Sequence, residues 1–191
     1  MFWPSFNAGY FPVNPFERSM IVTNTICSLA GSCMATFAIS SLFRHKLDME
    51  DILNATLAGG VAIGAPAGLI TNSVASIAIG LTAGTISSLG YISLSSKLNS
   101  LLGLEDTCGI NNLHGIPGIL GGILSAIVVA SYNASPINPA YQSLVSFNPG
   151  TSGRTFSQQA GYQLAGTGTS LGFGLLFGFI AGIIISCFYR F

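Results

Sequence analysis

The chain has 191 residues, 50% of them hydrophobic and only 6% charged, against about 25% charged in an ordinary soluble domain. Six Lys and Arg balance six Asp and Glu, so no basic field exists for a nucleic acid or an acidic partner. This composition excludes a water-soluble globular domain and predicts an all-α, polytopic membrane helix bundle surrounded by lipid.

The first sixteen residues, MFWPSFNAGYFPVNPF, gather Phe2, Trp3, Phe6, Tyr10, Phe11 and Phe16. Two readings stay open: an aromatic belt at the membrane interface, or an outer vestibule whose ring faces attract a small cation. Beyond them, charges punctuate the chain and leave uncharged windows at 19–43, 52–96, 107–153 and 155–189. Each meets the roughly 20-residue length of a spanning helix. The second window is long enough for two spans, and GAPAGLITNS, with Pro66, Gly68, Thr71 and Asn72, supplies the turn between them. The third ends early, because YNASPINPAYQSLVSFNPGTSG is rich in Asn, Pro, Ser and Gly and reads as a loop. Within it Asn133 fits an N-glycosylation acceptor, although Pro136 follows the tripeptide directly. Five complete spans are therefore expected, near 19–43, 50–70, 73–96, 107–131 and 161–188, in one membrane domain covering 1–191 with an extracellular loop at 132–160.

Along this five-span path Arg44, Lys46, Lys97 and Arg190 fall on one side, and Arg18 and Arg154 on the other. The positive-inside rule makes the first side cytoplasmic, with the C-terminus inside and the N-terminus outside. An outside N-terminus without a charged and apolar leader lacks a translocation signal. The natural chain is accordingly expected to begin upstream, with Met1 inside a truncated helix.

Glycines recur four residues apart at 64/68, 80/84, 118/122, 168/172 and 174/178/182, the spacing that lets helix backbones approach closely in lipid. Cys27, Cys33, Cys108 and Cys187 show neither metal-ligand spacing nor a disulfide framework and read as small packing residues. No cofactor motif is present. Glu50, Asp51 and Glu105 stand where first-turn carboxylates complement a helix dipole and cap free N–H groups. A paired-carboxylate hydrolase would lack a soluble cleft, so an enzyme is not expected. His45, between Arg44 and Lys46, reads as a solvated turn residue.

His114, in NNLHGIPG, is different. It stands in an uncharged membrane window, where ionisable groups usually line a substrate or ion path; the plain alternative is a histidine satisfied by neighbouring helices. A neutral imidazole donates from one nitrogen and accepts at the other, so it can hold a small neutral amine or water. Gly115, Pro117 and Gly118 loosen the helix beside it.

DTCGINNLHGIPGILGGI at 106–123, KLDMEDILNATLAGGVAIGAPAG at 46–68 and FWPSFN at 2–7 closely resemble segments of Rhesus-type (Rh) glycoproteins of the ammonium transporter superfamily, in the same order. The resemblance covers most of the chain outside the 132–160 loop. It implies that His114 is the second of twin histidines lining a hydrophobic ammonia pore, that Phe6 is one of two stacked phenylalanines gating the outer entrance, and that Asp48 is a buried acid near the inner half of the pathway. It also implies a fold of eleven or twelve helices in two inverted halves, assembled as a plasma-membrane homotrimer or Rh hetero-oligomer. Ammonium would gather at the vestibule, lose a proton there and cross as ammonia; carbon dioxide is a second implied cargo. The partner histidine and the other gating phenylalanine would lie upstream, so this chain resembles the second half of such a protein. An inactive half, or a non-conducting structural Rh subunit, is the alternative. Blood-group-type subunits lack this histidine, so its presence at 114 favours the transporting lineage.

Overall fold

The structure, a computed structural model, describes residues 2–9, 15–103, 106–132 and 155–188. Asn133, Glu105, Tyr10, Phe11, Arg154, Arg190 and most of the expected 132–160 loop lie outside the described residues. Among the described residues every regular element is helical. A short α1 (Trp3–Gly9) precedes the long α2 (Pro15–Arg44), which starts on a proline whose missing N–H costs nothing at that position. The second expected span is broken: α3 (Met49–Asn54), a 3-10 turn (Ala55–Leu57), α4 (Ala58–Ala62) and then turns to residue 69. The predicted break follows. Asn72 caps α5 (Ser73–Leu89) by accepting the Val74 N–H at 2.9 Å. A π-helical turn (Gly90–Leu94) carries α5 into α6 (Ser95–Leu102), and a second π-helical turn (Asn111–Gly115) opens α7 (Ile116–Ser131).

The last helix, α8 (Phe156–Phe188), begins before the expected residue 161. Thr155 and Gln158 form a reciprocal cap: the Thr155 N–H donates to Gln158 Oε1 at 2.9 Å and the Gln158 N–H to Thr155 Oγ1 at 3.2 Å.

Among the described residues four helices are long and apolar enough to cross a membrane: Pro15–Arg44, Ser73–Leu101, Asn111–Ser131 and Phe156–Phe188. The segment at 50–70 does not qualify as a continuous helix. Gly59, Gly60, Gly64, Pro66 and Gly68 concentrate weak helix formers there, so its backbone leaves the α ladder and needs other partners. Helix α2 supplies them. Ser32 Oγ donates to the Ala55 carbonyl and Ser28 Oγ to that of Gly59, both at 2.8 Å, while Asn24 donates to those of Ala67 and Ile70 at 2.9 and 2.7 Å. The Gly59 N–H in turn donates to Ser32 Oγ at 3.1 Å. Asn24, Ser28 and Ser32 are spaced by four and so share one face of α2, inclined along the broken segment.

On the same side α2 meets α5. A Cβ on Gly80 would overlap the Ser28 carbonyl, and one on Gly84 would lie 2.6 Å from that of Ser32. The paired positions rise together, so α2 and α5 run parallel, which brings Arg44, Lys46 and Lys97 to one end of the bundle. Helix α7 rests on α4 through Gly121, where a Cβ would be 2.5 Å from the Ala62 carbonyl. The apolar core lies between these elements, around Ile21, Ala58, Ala62, Ile63, Ala67 and Ile79. The glycine spacing thus marks real contacts on α5. On α8 it does not: a Cβ at Gly168, Gly172, Gly174, Gly178 or Gly182 meets nothing within 4 Å.

Candidate functional site

His114 sits in the second π-helical turn. Gly109 before it adopts φ +63°, and the Asp106 carboxylate accepts the Ile110 and Asn111 N–H groups at 2.9 and 2.8 Å, which starts the turn. Pro117 has no N–H to return to residue 113, and the wider turn accommodates that lost bond. The imidazole is exposed on the described chain.

Three rings converge here from two distant parts of the sequence. The Trp3 ring centre lies 6.0 Å from that of His114, tilted by 42°, and 5.6 Å from that of Phe6, edge to face. Trp3 packs against the broken segment, where a Cβ on Gly60 would come 3.1 Å from its Cγ. Buried Asn7 anchors α1 beneath it, its Nδ2 donating to Thr25 Oγ1 and to the Gly60 carbonyl, both at 3.2 Å. A cavity of 370 Å³ opens beside these rings, lined by Phe2, Trp3, Phe6 and Leu57. The recess is apolar and aromatic, and the His114 imidazole, which is not among its lining residues, meets it through the ring of Trp3. Among the described residues the ring that meets His114 is that of Trp3, a residue that its sequence position alone places only among the N-terminal aromatics.

Asp48 is elsewhere. The resemblance implies a buried acid at this position, but Asp48 is the N-cap of α3, accepting the Glu50 N–H at 3.0 Å, and its side chain is 22% exposed. Arg44 Nη1 lies 3.6 Å from it and Lys46 Nζ 4.0 Å. Of the acids at 48, 50 and 51 the buried one is Asp51, fully enclosed, with Arg44 Nε 3.0 Å from its Oδ2. The reason is geometric: a capping residue stands at the rim of its helix, whereas a residue three positions on can turn beneath it toward α2. His45 is exposed with φ +54°, a turn residue as expected. All four cysteines are free, Cys27 and Cys33 partly buried and Cys108 and Cys187 exposed. Among the described residues no group of three or more His, Cys, Asp or Glu could hold a metal ion.

Comparison with known proteins decides the lineage. The model of the Ammonium Transporter Family matches residues 1–190. The chain belongs to the ammonium transporter family, as an Rh-type member. It is 41% identical to ammonium transporter Rh type C of Xenopus tropicalis over 192 residues, and 42% identical to Rhesus-like glycoprotein A of Dictyostelium discoideum over 188. Each alignment takes in 97% of this chain, but only 40% and 34% of the respective relative. A solved structure of Nitrosomonas europaea Rh50 superposes with a TM-score of 0.61 at 34% identity, covering 87% of this chain and 39% of that one. A sensor Amt protein shares the fold, with a TM-score of 0.67 at 23% identity over 92% of this chain and 39% of its own. The chain therefore spans about 40% of the length of these relatives and carries a partial ammonium-transporter fold, all helical and multi-pass. The family is one of transporters and channels, not of enzymes.

Proposed function

We propose that this chain forms one half of a conduit for neutral ammonia, with His114 the hydrogen-bonding group of the passage and Phe6 and Trp3 its aromatic wall. The observation that carries the reading is the convergence of those three rings beside an apolar recess. The relatives support it: they include ammonium transporters Rh type C and Rh type B, and the Rh50 structure is described with the mechanism of conduction by the Rhesus protein family of channels.

Magnitudes favour the neutral species. An ammonium ion stripped of water in a dry passage would lose tens of kcal/mol of solvation, whereas a neutral molecule keeping one or two hydrogen bonds loses only a few. Ammonium therefore gives up its proton to bulk water at the mouth, and ammonia passes the imidazole, which can donate to its nitrogen or accept from it. The end of the bundle carrying Arg44, Lys46 and Lys97 faces the cytoplasm under the positive-inside rule. A plasma-membrane location, assembly of three copies and carriage of carbon dioxide follow from the resemblance. Asp48 belongs to the ionic turn at that inner end and serves the pathway only by holding the turn together.

The test is His114→Ala in the complete transporter, reconstituted in liposomes. Loss of one hydrogen bond of about 1 kcal/mol predicts about a fivefold fall in ammonia flux, read from the rise of internal pH. Unaltered flux together with unaltered exclusion of ions would overturn the assignment.

A further inference from the structure

The turn that carries His114 faces two ways. Asn112 is 1% exposed and points into the bundle, while His114, two residues on, is exposed. Two residues along this wide turn correspond to roughly half a rotation, so a side chain held on the inner face sends the other to the opposite one. Asn112 is held firmly: its Nδ2 donates to Ser95 Oγ at 2.6 Å, and its Oδ1 occupies space that exists only because Gly90 lacks a Cβ, which would stand 2.6 Å away. Gly90 opens the other π-helical turn, and Tyr91 within it donates its hydroxyl to the Gly109 carbonyl at 2.9 Å. An amide in one π-helical turn and a phenol in the other thus each reach a residue flanking the opposite turn.

A π-helical turn holds one residue more than an α-helical turn, so the α-helical register on either side does not set its rotational phase. If the extra residue were absorbed, the side chains before Ile116 would swing by about 100° and His114 would leave Trp3. We infer that Asn112 is a positioning residue for His114: its bond to Ser95 and its fit against Gly90 set the phase of the turn, so that the imidazole faces Trp3. The consequence for transport rests on the ammonia-conduit reading; the geometric claim does not.

The chain has two histidines and a single tryptophan, which makes the geometry measurable by NMR. With ¹³C-labelled histidine and the full chain in phospholipid nanodiscs, the His114 ring signal is the one lost in His114→Asn, and Trp3→Leu shows where it lies without the indole ring current. His45 is the internal reference. Asn112→Ala and Ser95→Ala are expected to move the His114 signal toward its Trp3→Leu position, with helix content by circular dichroism and the His45 signal unchanged. Ser95→Thr, which keeps the hydroxyl, is expected to hold the original signal. A His114 signal that stays in place in folded Ser95→Ala would overturn the inference, and this variant decides the matter if Asn112→Ala does not fold. Because the readout is not transport, unaltered flux in His114→Ala would remove the conduit reading and leave this one standing.

Discussion

Gly80 and Gly84 on α5 and Gly174, Gly178 and Gly182 on α8 share a four-residue spacing, yet the first pair presses on the backbone of α2 while the other three meet nothing within 4 Å. The surroundings differ as sharply. In the core of α2, α5 and the broken segment, α2 buries Asn24, Ser28 and Ser32, and each of these three finds a carbonyl partner on the broken segment. Along α8 only Ala160 is buried, and Phe177, Phe179 and Ile185 are each more than half exposed. Small residues in a membrane helix permit close approach, then, but the spacing does not say where an approach occurs.

The largest expected effect tests that contrast directly. Gly80→Leu would force α2 and α5 apart at Ser28 and should cost on the order of 3 kcal/mol, whereas Gly178→Leu should stay within about 0.5 kcal/mol. Unfolding of the chain in mixed micelles, followed by helicity, measures both, and equal losses would break the comparison. A somewhat smaller effect sharpens it. Asn24→Ala leaves the carbonyls of Ala67 and Ile70 without their side-chain donor and should cost roughly 2 kcal/mol. Thr169→Ala removes a hydroxyl that bonds only to its own helix on α8 and should be near zero by the same measurement. The smallest difference lies at the rim of the packed region. Asp51→Asn weakens an enclosed carboxylate against Arg44, itself 26% exposed, and should cost about 1–2 kcal/mol. Asp48→Asn keeps a good cap and loses a partly exposed ion pair, so about 0.5 kcal/mol is expected. If the two substitutions were equally costly in chemical denaturation, the assignment of Asp51 as the structural acid would fail.

Much of the architecture is legible without coordinates. The uncharged windows mark four of the spans, and the turn at 64–73 falls where proline, glycine and asparagine cluster. The break within 50–70 was less so. Hydropathy sums apolar character and is blind to where backbone N–H and C=O groups find partners, and here they find them on another helix. A sign was present in the run Asn24, Ser28, Ser32, polar at every fourth residue of an otherwise apolar span. His114 and Phe6 stood out by residue type and by resemblance; that Trp3 lies between them did not, because the contact joins residues more than a hundred positions apart.

By itself, the amino-acid order determined the solvent this protein lives in, the placing of four long apolar helices and that of one histidine among them. Those properties follow from local sums of transfer free energy and from side-chain type. Which glycines touch, which of two neighbouring carboxylates is enclosed, and which way His114 turns were decided only by tertiary structure. Each depends on the rotation of a helix about its own axis, and in lipid that rotation is set by interhelical packing and hydrogen bonds, since hydrophobicity no longer distinguishes inside from outside.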